Sequence, residues 1–260
     1  MNLLAAEVIE RFYSFLWPML RISALLMTAP LFSQRAVSVR IRVLLGVALT
    51  WLIYPLYDWP QLNPLSGPGL LEVFNQIFIG ASMGLLLQVV VAAMIVAGQS
   101  VSAAMGLSMA NMIDPNMGNV PVVAQLLLIM STLIFVGSGG HAILMGLVLE
   151  SFQALPIGQS LLDQNHWGRL VTWSSMMFVG AVLIALPVMV TLLFINVGLG
   201  VVTKAAPSLN IFAVGFPAMV LAGLIILILS LESVGGRMEW LWMQSFIMLR
   251  DWAGPGVGGA

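Results

Sequence analysis

The chain has 260 residues, 60% of them hydrophobic and only 7% charged, with a mean hydropathy of +1.05. A soluble domain carries roughly 25% charged residues, so this composition excludes a soluble globule and points to an integral membrane protein. The net charge of −1 gives no sign of a nucleic-acid partner or a polybasic lipid site, and the lack of cysteine excludes disulfides, thiol catalysis and cysteine-ligated metals.

Charges and prolines divide the sequence into about six apolar segments, at roughly 12–33, 43–57, 70–104, 121–149, 170–200 and 210–231, each predicted to be helical. The first is preceded by Glu7 and Glu10 with only Arg11 as counter-charge. That is a poor signal-peptide n-region, so the segment reads as a retained transmembrane helix. The second, Val43 to Tyr57, has 15 residues. As a helix it spans about 22 Å, short of a bilayer core of about 30 Å. The third lies in a stretch with no charge and no proline from Val73 to Ile113, 41 residues. One helix of that length would reach about 60 Å, so it either breaks, with Gly98 and Gly106 as breakpoints, or packs largely on protein. GASMG at 80–84 is a G-x-x-x-G pattern that lets helix backbones approach closely. Pro187 and Pro217 lie inside the fifth and sixth segments and are expected to kink them. The GPGVGGA end is expected to be a disordered tail.

Arg35, Arg40 and Arg42 cluster after the first segment, and Lys204, the only lysine, lies between the last two. The positive-inside rule puts both basic loops in the cytoplasm. The loop at 105–120 falls on the same side by parity, although it carries no basic residue.

No catalytic or metal motif is present. His141 and His166 lack metal-like spacing to acids, and H-E-x-x-H, P-loop and G-x-S-x-G patterns are missing. Neither an enzyme nor a cofactor is expected. Arg21 is the costly residue, since a charge in mid-segment costs roughly 3 kcal/mol in lipid. It reads as a buried ion pair, a pore-lining cation, or an arginine snorkelling from a shifted segment. His141 reads as a proton relay or as a hydrogen-bonded packing histidine after a Gly-rich break.

MANMIDPNMGN at 109–119 must break the helix, because Pro115 disfavours helix at Asp114 and Asp-Pro-Asn is a turn signal. Asn119 can cap the next helix, with Pro121 in its first turn. The loop also carries Met109, Met112 and Met117, unbranched side chains that adapt to irregular partners. Connector and adaptable seal both remain open on these residues.

GQSVSAAMGLSMANMIDPNMGNVPVVAQLLLIMSTLIFVGSGGHAILMGLVLESFQALPIG (98–158), RISALLMTAPLFSQRAVSVRIR (21–42) and VGLGVVTKAAPSLNIFAVGFP (197–217) resemble the FliR family of flagellar export proteins, which is related to the SctT secretion subunits. The resemblance covers nearly the whole chain. Arginine is common in that family at the place of Lys204. The resemblance implies an all-α polytopic protein with a FliP-like part (1–169), a FliQ-like hairpin (170–231) with Lys204 at its cytoplasmic tip, and a C-terminal tail (232–260). It implies an export gate built with FliP and FliQ homologues, with FlhB and FlhA as further partners and unfolded proteins as substrates. The gate would lie in the bacterial inner membrane within the flagellar basal body, partly raised toward the periplasm. It further implies that the loop from about Gly106 to Pro121 plugs the closed channel. The candidate plug residues are then Met105, Gly106, Met109, Met112, Asp114, Pro115 and Met117, with Arg21 and His141 as buried polar groups. A stand-alone secondary transporter or channel using Arg21 and His141, and a scaffold with no conduit role, are the competing readings.

Overall fold

The computed structural model describes residues 2–32, 37–107, 121–159, 164–205 and 211–254. Among them the secondary structure is helical, with no strand. The helices are α1 (Asn2–Thr28), α2 (Val39–Ile53, extended by a 3-10 turn at Tyr54–Leu56), α3 (Gly67–Ala104), α4 (Val122–Gly137), α5 (Gly140–Ala154), α6 (Gln164–Ser174), α7 (Met176–Ala205), α8 (Ile211–Leu229) and α9 (Leu231–Ala253). Three helices are long and apolar enough to cross a membrane: Val39–Leu56, Gly67–Ala104, and α6 running on into α7 as Gln164–Ala205. The number rises to five if α4 with α5, and α8 with α9, each form one broken span. The first expected segment, now α1, is not among them. It carries Glu7, Glu10, Arg11 and Arg21, charges that lower its mean hydropathy.

The helix boundaries follow local chemistry. Ser38 caps α2, its hydroxyl accepting from the Ile41 amide at 3.4 Å. Helix α3 is continuous for 38 residues, about 57 Å, so the uncharged run does not break at Gly98. Gly98 instead lets α3 approach α4, where a Cβ would overlap the backbone of Ala124. The chain between α4 and α5 turns at Gly139, in the left-handed region at φ +72°. Within the stretch given as the C-terminal tail, residues 255–260 of GPGVGGA lie outside the described residues, and Leu231–Ala253 is a helix with Val234, Met238, Leu241, Phe246, Leu249 and Trp252 buried. That spacing is the 3.6-residue period of an amphipathic helix. Glu232 in its first turn and Arg250 in its last complement the helix dipole.

The chain folds as two compact units, neither continuous in sequence. One comprises 1–89, 139–174 and 244–260; the other comprises 90–138 and 175–243. In the first, α1 packs on α2, and the GASMG glycines meet α1. A Cβ on Gly80 would strike the Arg21 carbonyl, and one on Gly84 would strike the Thr28 hydroxyl. The small-residue pair therefore sets a helix crossing. In the second, α7 packs on α8. Trp242 of α9 donates to the Ser131 hydroxyl of α4 at 3.0 Å, with the Phe135 ring 4.6 Å from its own.

Candidate functional site

Arg21 lies in mid-α1, fully buried, and four hydrogen bonds use its guanidinium. Nε donates to the Gln76 side-chain oxygen at 2.7 Å. Nη1 donates to the Ser151 carbonyl at 2.7 Å and its hydroxyl at 3.2 Å. Nη2 donates to the Leu155 carbonyl at 2.7 Å. The Phe152 ring lies below, 4.3 Å from Cζ.

Each partner is there for a reason. Ser151 and Leu155 form the end of α5, at the negative end of the helix dipole; the Ser151 carbonyl also accepts the Leu155 amide at 2.9 Å, and both carbonyl oxygens have room for a donor from outside the helix. A guanidinium reaches both at once. Gln76 sits one turn after Glu72 on α3. Its NH₂ donates to the Glu72 carboxylate at 2.5 Å while its oxygen faces the arginine. The amide thus relays between a buried cation and a buried anion, with Asn75 donating to the other Glu72 oxygen at 3.5 Å. Of the three readings of Arg21, the structure selects burial, with the ion pair bridged by an amide. A pore-lining cation would need an exposed head group.

Sequence reasoning does not single out Glu72, Gln76 or Ser151, because Glu72 stands near the start of the third apolar segment and no local pattern ties it to Arg21. A buried arginine needs a buried carboxylate, and Glu72 is the acid with a glutamine at i+4 on the neighbouring apolar helix.

His141 was expected to be a buried polar group. It stands exposed in the first turn of α5, because Gly140, Leu144, Leu147 and Val148 form the buried face of that helix. It lies ten residues from Ser151, about 15 Å along α5, so His141 and Arg21 do not share a site. Met105 is fully buried. Its side chain fills the space over Gly223 of α8, so it is a core group of its unit. Gly106, at φ +80°, ends α3 in a Schellman motif. Its amide donates to Ala103 and that of Leu107 to Ser102, both at 3.0 Å. The chain break predicted near Gly106 is this cap. Met109, Met112, Asp114, Pro115 and Met117 lie outside the described residues. Lys204 is exposed in the last turn of α7.

Fold and site together define a polytopic, all-α membrane protein whose main buried polar cluster serves packing. The chain belongs to the FliR family of bacterial export proteins. The sequence model described as "Bacterial export proteins, family 1" matches residues 12–245. The chain is 36% identical over 238 residues to the flagellar biosynthetic protein FliR of Pectobacterium carotovorum subsp. carotovorum, covering 91% of both chains. It is 33% identical over 238 residues to the FliR protein of Escherichia coli (strain K12), again covering 91% of both. It is 29% identical over 232 residues to that of Bacillus subtilis (strain 168), covering 88% of this chain and 90% of the relative. Membership carries the coarse function: protein export in flagellum biogenesis, at a membrane.

Proposed function

We propose that the chain is a structural, pore-forming subunit of the flagellar type III export gate. It assembles with FliP- and FliQ-type subunits and passes unfolded substrates across the inner membrane, with FlhA- and FlhB-type proteins as neighbours. The family match over residues 12–245, almost the entire chain, carries this reading. The 38-residue α3 supports it, since a helix of about 57 Å exceeds the bilayer core and suits packing on protein. In this reading residues 1–169 are the FliP-like part, and 170–231 form the FliQ-like hairpin with Lys204 at its tip. The segment from Gly106 to Pro121 is the plug of the closed channel, leaving α3 from its glycine cap. The subunit needs no chemistry of its own.

The test is co-purification with FliP- and FliQ-type partners, followed by deletion of 109–117. The complex should still assemble, and the closed gate should leak small ions. Wild-type conductance in that variant overturns the plug assignment. A chain that purifies without those partners and transports solute alone in liposomes overturns the gate. The transporter reading is disfavoured by the separation of Arg21 from His141 and by the commitment of the arginine to helix carbonyls.

A further inference from the structure

In the unit formed by 90–138 and 175–243, a groove of about 490 Å³ runs between the end of α3 and α7. Val96 and Ala104 form one wall, and Val182, Met189 and Leu193 the other. The volume is within the range of ligand sites, roughly 300–1,000 Å³, and the lining is almost wholly apolar. Two features mark one end as polar.

The first is Asn196, which lines the groove on an otherwise apolar stretch of α7. Its side chain is exposed and has no hydrogen-bond partner among the described residues. A carboxamide facing lipid without a partner is costly, so it calls for an acceptor or donor from outside. The second is Lys204. Residues 189, 193, 196, 200 and 204 follow helical spacing and share one face of α7. Lys204 stands about 12 Å beyond Asn196 along the axis. Gly200, between them, has open space beside it. Lys204 is exposed and unpaired among the described residues. The other cation described in this unit, Arg237, donates to the Leu183 carbonyl. An apolar slot thus leads past a free amide and a bare glycine to one free ammonium at the helix end.

We propose that this groove holds an acyl chain of an anionic phospholipid. Asn196 donates to the glycerol ester region and Lys204 meets the phosphate. The charge fits the ligand, since a basic residue at the end of a membrane helix attracts anionic headgroups. The inference stands on the membrane-spanning fold and not on the gate reading.

The test is native mass spectrometry of the full chain in detergent with equimolar phosphatidylglycerol and phosphatidylcholine of matched acyl length. The wild type should retain one lipid and prefer phosphatidylglycerol. Lys204→Gln should lower that preference about fivefold, and Lys204→Arg should restore it. Met189→Trp should fill the groove and lose both lipids. Met189 is 38% exposed and Leu193 61%, so Leu193→Trp is a second filling variant that leaves the core intact. Equal retention of the two lipids by wild type overturns the proposal, as does an unchanged preference in Lys204→Gln or lipid retained by both filled variants. The rival occupant is an apolar helix of another subunit. Because the chain has no cysteine, Met189→Cys reports on it cleanly. A cross-link from that position to a partner, with no lipid bound in the purified complex, also overturns the proposal.

Discussion

In the unit that contains Arg21, the core includes a cation, a carboxylate, two amides and the open end of a helix, joined by hydrogen bonds. In the unit that contains Met105, the buried polar side chains among the described residues are two serines, Ser102 and Ser131. The rest is apolar packing over small residues, such as Met105 over Gly223 and α3 against Ala124 at Gly98. The first kind of core is directional. A guanidinium that must reach Gln76, Ser151 and Leu155 together admits one arrangement of α1, α3 and α5. The second kind is tolerant, because dispersion contacts and an unbranched methionine adjust to modest shifts.

The comparison breaks most readily at Arg21. Arg21→Ala strands the buried Glu72 charge and removes the guanidinium donors from the Ser151 and Leu155 carbonyls, of which Ser151 keeps the Leu155 amide. The expected loss is about 3–5 kcal/mol, seen as a large drop in the thermal midpoint in detergent or as failure to recover folded protein. Arg21→Ala with Glu72→Ala should cost less than the two single losses added, since the double change removes both charges. If Arg21→Ala unfolds like wild type, the hub does not hold the unit. Next comes Gln76→Leu, close to isosteric, which cuts the relay while leaving both charges in place. We expect about 2 kcal/mol of destabilisation, because buried charged groups lose their partners. A neutral result would show that water or direct contact replaces the amide.

The residues explain how far the sequence could be read. Apolar segments, the G-x-x-x-G crossing and the break at Gly106 were visible, because each depends on local spacing or on a backbone demand that only glycine meets cheaply. Arg21 was visible as an anomaly, but its partners come from residues 55 and 130 positions away, and no local rule supplies them. The single helix through Gly98 was ambiguous for the same reason. A glycine that breaks a helix and one that admits a neighbour look alike until the neighbour, Ala124, is known. Helix α9 was legible and was passed over, its apolar period interrupted by Glu232, Arg237, Glu239 and Arg250. The exposure of His141 depends on the phase of α5, which the break at Gly139 resets.

The tolerant unit should show its character in a mild substitution. Met105→Leu conserves volume but adds a γ-branch over Gly223. Such swaps cost under about 1.5 kcal/mol. The expected thermal shift is therefore smaller than for Gln76→Leu, although both side chains are fully buried. Equal losses from the two variants would erase the distinction between a directional and an adaptable core.

The smallest expected effect is at His141, and it separates packing from proton transfer. The side chain is exposed at the start of α5, and the Arg21 cluster lies at the other end of that helix. Surface substitutions of this kind stay within about 0.5 kcal/mol, so His141→Ala should unfold like wild type in the same assay. Motility on soft agar should also stay at wild-type level, because neither the hub nor the groove uses the imidazole. Stable protein with lost motility would restore His141 as a functional residue. It would also require a partner surface to supply the groups that a relay needs, since the hub commits Arg21 to the α5 carbonyls.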